Sequence, residues 1–276
     1  SDLINEGTIT GNVTNDTGKE INLVENTGTI EGSIANSGNI NIFEVSGTIA
    51  QGILNDTNAS ISSITINKGA NLGSSGITNH SNIGSLIVNE SVKYNGNGSD
   101  RITQALEVAE DKTLTIQNSG SSNGTLYFNS TTNGTIDNAG IIAGNLSNVS
   151  NSTLGTFINS GTITGDLYND GHIGTLTNTG TMGTIYNTSK NTIENLINDK
   201  NSVIAGIDNS NGRYNTLENQ GTILGNINNN NGTITNLVNT NSGTITGQII
   251  SNGDSNIGTI INEGVINSSH TMNDTG

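Results

Sequence analysis

The sequence predicts an all-β protein in which short parallel strands stack coil upon coil as a β-helix. Three observations predict it: a motif that returns about every 20 residues, apolar residues that alternate with polar ones, and the complete absence of proline. At that period, a chain of 276 residues has room for roughly 13 coils. The prediction covers residues 1–276 as one domain.

The repeated motif is Asn-x-Gly-Thr-Ile-x-Gly. Clear copies lie at 5–11, 26–32, 159–165, 219–225 and 241–247. The first glycines of neighbouring copies are mostly 19 to 22 residues apart. One copy is too small to bury its own apolar side chains, so the copies must stack, with each strand paired to its equivalent in the next coil.

Apolar residues keep the same frame as the motif. Ile9, Ile30 and Ile163 all stand two residues after the first glycine, and each lies between polar residues. This two-residue alternation is typical of strands, and Ile, Val and Thr suit a pleated, half-buried surface. Proline is missing because every coil needs its backbone N–H groups for pairing. The 37 glycines are expected at corners, together with Asn, where positive φ angles recur.

Composition alone is typical of a disordered chain, since only 30% of the residues are hydrophobic and 3% aromatic. The repeat overrides that interpretation, because a stack of coils shares one core. A net charge of −15 argues against binding nucleic acid or an anionic membrane. The absence of cysteine excludes disulfides and thiolate metal sites.

Asparagine also recurs in the frame of the repeat. We interpret these residues as ladders at the corners, in which side-chain amides bond from coil to coil. The alternative is a row of groups that binds a ligand or metal. The first column comprises Asn5, Asn26, Asn67, Asn138, Asn159, Asn178, Asn219, Asn241 and Asn262. A second column comprises Asn15, Asn36, Asn55, Asn148, Asn169 and Asn229.

Threonine forms a third periodic row, which is predicted to face outward. It is either a set of good strand residues or a surface of hydroxyl groups that meets a partner. The candidate partner-binding residues are Thr8, Thr10, Thr29, Thr48, Thr162, Thr164, Thr181, Thr222, Thr244 and Thr246.

The motif is lost from about residue 89 to residue 133, which predicts an irregular insertion or loop region. Within it, the stretch 102–116 predicts two strands across a turn, with a short helix at 104–109 as the alternative. Residues 95–103 come close to a calcium-binding nonapeptide, with Asn95, Asn97 and Asp100 as the candidate ligands. One copy supplies half of the required oxygens, so we expect no cofactor and keep calcium as the alternative.

Catalytic signals are sparse. The three histidines are far apart, and the sequence contains no nucleophile elbow or phosphate-binding loop. Glu25 and Glu44 both lie three residues before their glycine and should stack one coil apart, as a glycosidase pair or a cation site would require. We interpret them instead as exposed charges that point into solvent. We expect no enzyme.

The stretch Asn159-Ser160-Gly161-Thr162-Ile163-Thr164-Gly165-Asp166-Leu167, like the repeat over nearly the whole chain, resembles the passenger domains of bacterial autotransporter adhesins, including the self-associating ones. The resemblance implies a right-handed, three-faced β-helix that is secreted by the type V route and displayed at the outer-membrane surface. It implies aggregation, biofilm formation or host adhesion through rows of Asn, Asp and Thr. The implied partner is another copy on a neighbouring cell, or a host surface protein or glycan. The chain would then be a passenger fragment that does not itself insert into a membrane.

Other β-helices remain as alternatives. A filamentous-haemagglutinin-type secreted adhesin would have a similar sequence. An ice-binding solenoid needs a regular Thr-x-Thr array, but the second threonine is replaced in five copies, by Glu31, Ala50, Gly183, Leu224 and Asn267. A polysaccharide-cleaving or polysaccharide-binding β-helix needs a cluster of carboxylates or aromatic rings in a groove, and the chain has only five Tyr and three Phe.

Overall fold

The structure is a computed structural model that describes residues 1–118, 124–268 and, for the backbone alone, 271–272. Within these residues it is all-β and contains no helix. Parallel strands stack as a β-solenoid of about 12 coils with roughly 21 residues each. The predicted parallel β-helix is therefore confirmed, with slightly longer coils than expected.

Contacts divide the chain into two compact units, whereas the sequence predicts one domain. Unit 1 comprises Ser1–Phe128 and Ala139–Gly144, and unit 2 comprises Asn129–Asn138 and Asn145–Gly276. Most coils contribute a long strand, a very short strand and a third strand; in the other coils the last two merge or the short strand is missing.

Unit 1 contains six long strands that pair in parallel, each with its equivalent in the next coil. They are Asp2–Asn5, Glu20–Asn26, Asn39–Val45, Ser60–Ile66, Asn82–Val88 and Arg101–Val108. Three two-residue strands form a small sheet of their own: Thr8–Ile9, Thr29–Ile30 and Thr48–Ile49. The remaining strands are Val13–Asn15, Ile34–Asn36, Ile53–Asn55, Ile77–Asn79, Val92–Gly96, Thr113–Asn118, Thr125–Phe128 and Ile141–Ala143.

Unit 2 contains seven long strands: Gly134–Asn138, Thr153–Asn159, His172–Asn178, Thr192–Asn198, Arg213–Asn219, Thr233–Asn239 and Asn256–Asn262. Its two-residue strands are Thr162–Ile163, Thr222–Ile223, Thr244–Ile245 and Val265–Ile266. Its third strands are Asn145–Asn148, Leu167–Asn169, Ile227–Asn230, Ile249–Asn252 and Thr271–Met272. In two coils these elements merge into Thr181–Thr188 and Val203–Ser210.

The core of each unit consists of columns of apolar side chains, and each coil contributes one side chain to a column. In unit 1, one column on the long strands consists of Val24, Phe43, Ile64, Leu86 and Leu106, which are fully buried. In unit 2 the same column is Ile136, Phe157, Leu176, Leu196, Leu217 and Leu237. Each such side chain contributes about 1.5–3 kcal/mol by leaving water, so few hydrophobic residues suffice when they fall in register.

The corners use glycine and asparagine for two different reasons. Positive φ angles outside glycine fall mainly on asparagine, for example Asn58, Asn151 and Asn201. The glycine that opens the motif does not have a positive φ at Gly47 or Gly180. It is required for space, because a Cβ atom there would overlap the carbonyl oxygen of the equivalent glycine one coil earlier. Positive φ therefore does not explain Gly47 and Gly180, although it does occur at other glycines, such as the motif-opening Gly69.

The prediction of an irregular insertion at 89–133 is also wrong for most of that segment. Its strands continue the parallel stack, with Ile77, Tyr94 and Ile116 in register in three successive coils. Leu106 likewise pairs with Leu86. The stretch 102–116 forms strands, as expected, and no helix. The motif is lost there, but the alternation of apolar residues that defines a strand is kept. Residues 119–123 of this segment lie outside the described residues.

Candidate functional surfaces

The first asparagine column forms a buried ladder of side-chain hydrogen bonds. In unit 2, each Nδ2 donates to the Oδ1 of the asparagine in the next coil at 2.7–2.9 Å. The members are Asn138, Asn159, Asn178, Asn198, Asn219, Asn239 and Asn262. In unit 1, Asn5 donates to Asn26 at 2.7 Å, and Val45 takes the next position.

Asn67 and Asn241 do not belong to this ladder. Ile66 occupies the ladder position next to Asn67. Asn239 occupies the position and pairs in register with Asn219 and Asn262, whereas Asn241 is exposed in a turn. The corner between Asn239 and Gly243 is two residues longer than in most coils, which moves the glycine away from the ladder residue. Counting back from the glycine therefore selects the wrong asparagine.

The second column is also a buried ladder, and it contains more members than the sequence frame indicates. In unit 1 it runs through Asn15, Asn36, Asn55 and Asn79 at 2.8–3.0 Å. In unit 2 it runs through Asn148, Asn169, Asn187, Asn209 and Asn229 at 2.8–3.0 Å.

The side-chain amides of the ladders make their hydrogen bonds within the protein. Besides the next asparagine, Nδ2 of Asn178 reaches the carbonyl oxygens of Gly180 at 3.2 Å and Val203 at 3.1 Å. Each ladder residue donates to the next coil. The first ladder residue of each column in unit 2 therefore has no preceding asparagine that could donate to its Oδ1 atom. Among the described residues, Oδ1 of Asn138 and of Asn148 is accordingly buried without a partner. These columns stabilise the stack and present nothing to an external ligand.

The predicted threonine row lies on the short strands and faces outward in both units. Thr8, Thr29 and Thr48 pair in register in unit 1. In unit 2 the row runs through Thr162, Thr181, Val203, Thr222, Thr244 and Val265. The side chains that follow the isoleucine, Thr10, Thr164 and Thr246, are exposed. The row is narrow, because the strands that carry it mostly have two residues.

A wider polar surface lies on the long strands of unit 2, and sequence reasoning missed it. We define the long-strand face as the outward side chains of those seven strands. Its central column is Thr135, Thr156, Thr175, Asn195, Thr216, Asn236 and Thr259, paired in register. A parallel column two residues further along is Asp137, Ile158, Thr177, Ile197, Glu218, Val238 and Ile261. The signal was available, since most of the threonines stand five residues before the motif glycine.

The three calcium candidates are engaged with protein partners. Oδ1 of Asp100 accepts the backbone N–H groups of Asn97 at 3.0 Å and Gly98 at 2.8 Å, and Oδ2 accepts the Tyr94 hydroxyl at 2.9 Å. Oδ1 of Asn97 accepts the backbone N–H of Ser99, and Nδ2 of Asn95 donates to the Ser75 carbonyl. Asp100 is fully buried and closes this loop. Within the described ranges, no group of three or more His, Cys, Asp or Glu is placed to hold a metal ion.

Glu25 and Glu44 pair in register one coil apart, as expected, on the outer side of unit 1. In the part of the chain that the structure describes, the single ion pair is Lys112 with Glu90 at 3.2 Å, so neither glutamate has a basic partner there. No helix among the described residues is long and apolar enough to cross a membrane.

Two tyrosines are buried in the core with their hydroxyl groups. Burial, and then the charge of Asp100, raise the pKa of Tyr94 well above its usual value. Burial, and then Asp208, raise the pKa of Tyr214. The Tyr94 hydroxyl accepts from Nδ2 of Asn79 and donates to Asp100, both at 2.9 Å. The Tyr214 hydroxyl has no hydrogen-bond partner within the described residues.

Replacing Tyr214 by Phe should stabilise the protein at pH 7 by about 1 kcal/mol, because it removes a buried hydroxyl group without a partner. It should also reduce the loss of folding stability at alkaline pH. A tyrosine whose folded-state pKa is raised supports folding fully below the unfolded-state pKa of about 10, and this support is lost as pH rises above it. Urea unfolding at pH 7 and pH 11 measures both effects.

Tyr127→Phe is the matched control, because the Tyr127 ring is only half-buried and stacks against the Arg101 guanidinium at 5.2 Å. A Tyr214→Phe protein that loses more than about 1 kcal/mol at pH 7 would show that the hydroxyl has a partner after all.

No family model matches this sequence, and no curated protein or solved structure is significantly similar to it.

Proposed function

We propose that this chain is a cell-surface adhesin module of bacteria that associates with another copy of itself. The observation that carries the proposal is the central column of the long-strand face, where seven coils of unit 2 present only Thr or Asn. Aggregation, biofilm formation or adhesion to a surface would follow from such contacts between cells.

A periodic column is complementary to itself. Neighbouring parallel strands are about 4.8 Å apart, so a second copy offers hydroxyl and amide groups at the same spacing. Thr and Asn side chains both donate and accept hydrogen bonds, so two identical columns can pair. Each bond contributes only about 0.5–1.5 kcal/mol, but linked contacts along several coils add avidity.

The neighbouring column supplies apolar contact area. Ile158 is 37% exposed, although it is a large aliphatic residue. Ile197 and Val238 lie in the same column and are half-buried. Covering these side chains with a second copy would remove apolar surface from water, which the hydrogen bonds alone would not do.

Charge sets the conditions for association. The net charge of −15 makes two copies repel each other at long range. Salt screens that repulsion over about 10 Å at 0.1 M, so association should strengthen as ionic strength rises.

Three glutamates on the long-strand face should weaken association strongly. In Thr156→Glu/Thr175→Glu/Thr216→Glu, carboxylates of two copies would face one another, and we expect the dimerisation constant to weaken at least about tenfold. Sedimentation velocity of the purified chain between 50 mM and 500 mM salt measures it. The matched control, Thr162→Glu/Thr222→Glu/Thr244→Glu, adds the same charge to the short-strand row of the same unit.

The two triple variants separate the possible outcomes. Association that survives in the control alone supports the long-strand face. Loss in the control alone would place the contact on the short-strand threonines. A wild-type chain that stays monomeric at every salt concentration would refute self-association.

A further inference from the structure

The only stacked pair of aromatic rings among the described residues lies on the outer side of unit 2. Tyr168 and Tyr186 occupy equivalent positions in successive coils, with ring centroids 5.1 Å apart and planes at 7°. Asp208 holds the next position in the same column. One face of the Tyr186 ring is therefore covered by Tyr168, and the other is directed toward the coil that carries Asp208.

A groove of about 230 Å³ opens on that side of Tyr186. It forms because Gly206, which pairs with Thr184, has no side chain where other coils have one. We call it the Tyr186 groove, and its functional lining is Thr184, Tyr186, Gly206, Asp208, Asn226 and Asn228.

The polar groups of this groove keep free hydrogen-bonding capacity. Oδ1 of Asp208 accepts from the Ser210 hydroxyl at 2.5 Å, which leaves Oδ2 without a partner among the described residues. Oδ1 of Asn226 accepts the backbone N–H of Gln248 at 2.8 Å, which leaves its Nδ2 group to donate. Both ends of the Asn228 amide are free within the same described part. An aromatic face thus lies beside two amides and a carboxylate oxygen.

We infer that the Tyr186 groove binds a neutral or N-acetylated sugar unit. The C–H face of a pyranose is apolar and packs on an aromatic ring, while its hydroxyl groups donate and accept in all directions. Asn amides and a carboxylate match such hydroxyl groups. No Lys or Arg lines the groove, and Asp208 is acidic, so uronic or sialic acids would be repelled.

The site is shallow and offers one aromatic ring, so a single sugar should bind with a dissociation constant near the millimolar range. Such a site becomes useful on a displayed chain, where many copies engage one glycan surface. The inference does not depend on self-association, because the groove lies mainly on the merged strands Thr181–Thr188 and Val203–Ser210 and not on the long-strand face.

Ligand-observed saturation-transfer NMR on the dilute chain tests the inference, with N-acetylglucosamine, methyl galactoside and glucuronate as probes. We expect transfer to at least one of the first two sugars and at least fivefold less to glucuronate. Tyr186→Ala and Gly206→Thr should each reduce the signal at least fivefold, the first by removing the stacking surface and the second by filling the groove.

The matched control is Tyr127→Ala, which removes a half-buried tyrosine of unit 1 and should leave the signal unchanged. Should Gly206→Thr fail to fold, Gly206→Ala replaces it, because its Cβ would meet neighbours only at ordinary distances of 3.6 Å and more. The absence of transfer from all three sugars, an undiminished signal in Tyr186→Ala, or glucuronate binding as strong as that of the neutral sugars would each overturn the inference. A monomeric chain that still binds sugar would refute self-association alone.

Discussion

Replacing Gly180 by alanine should destabilise unit 2 by about 3 kcal/mol, although it adds a single methyl group. The new Cβ would overlap the carbonyl oxygen of Gly161 in the preceding coil. That oxygen accepts the backbone N–H of Thr181 at 2.9 Å, so it cannot withdraw without breaking the ladder. Urea unfolding followed by far-UV circular dichroism measures the change in the free energy of unfolding.

Gly206→Ala is the matched control in the same unit. Its Cβ would meet Thr184 and Asn226 at 3.6 Å, which is ordinary contact, so its stability should stay within about 1 kcal/mol of the wild type. Equal stability of the two variants would mean that the coils are further apart at Gly180 than the structure shows.

Asn178→Ala should cost a similar amount, about 2–4 kcal/mol, through lost hydrogen bonds. Asn178 is fully buried, accepts from Asn159 at 2.7 Å and donates to Asn198 at 2.9 Å. Alanine leaves one N–H of the Asn159 Nδ2 group without its acceptor, while the other still reaches the Thr181 carbonyl oxygen, and it leaves Asn198 Oδ1 with the Ser202 hydroxyl as its remaining donor. The carbonyl oxygens of Gly180 and Val203 also lose the amide that donates to them. A buried polar group without a partner costs about 1–3 kcal/mol, more than the net gain from forming a bond.

The same measurement on Asn195→Ala provides the comparison. Asn195 lies on the neighbouring long strand, but its side chain points outward and is exposed. We expect a change within about 0.5 kcal/mol there. A ladder variant as stable as this control would show that the hydrogen bonds of a single ladder asparagine do not stabilise the stack.

The column itself shows when asparagine is dispensable. In unit 1, the position of Asn26 continues as Val45, Ile66 and Val88 in successive coils. An uninterrupted apolar run leaves no amide unpaired, so those coils need no ladder. Asparagine is thus required where its neighbours are asparagine.

Sequence reasoning could predict the fold because the signals it uses are local and repeated. Alternation and a fixed period identify strands and coils without knowledge of the register. It failed where a corner changes length, as before Gly243, because the ladder position is fixed by strand pairing and not by distance to the glycine. It also failed at 89–133, where the motif disappears but Tyr94, Leu106 and Ile116 still alternate with polar residues.

Prediction of the candidate surfaces requires the strand register more than prediction of the fold does. The central column of the long-strand face could have been found from the frame, because Thr156, Thr175 and Thr216 share one position before the glycine. The stacking of Tyr168 on Tyr186 could not, since these residues are 18 positions apart and the coil between them is shorter than the average period. The Tyr186 groove is lined by residues of three successive coils, so its prediction requires the register of all three.

The most direct test of self-association uses beads of two colours, each coated with the chain through one terminus. At 150 mM salt, we expect mixed-colour clumps that disperse when soluble chain is added in excess. Beads coated with Thr156→Glu/Thr175→Glu/Thr216→Glu should stay dispersed, while those coated with Thr162→Glu/Thr222→Glu/Thr244→Glu should clump as the wild type does. Wild-type beads that remain dispersed at all salt concentrations would contradict the proposal that this solenoid associates with copies of itself.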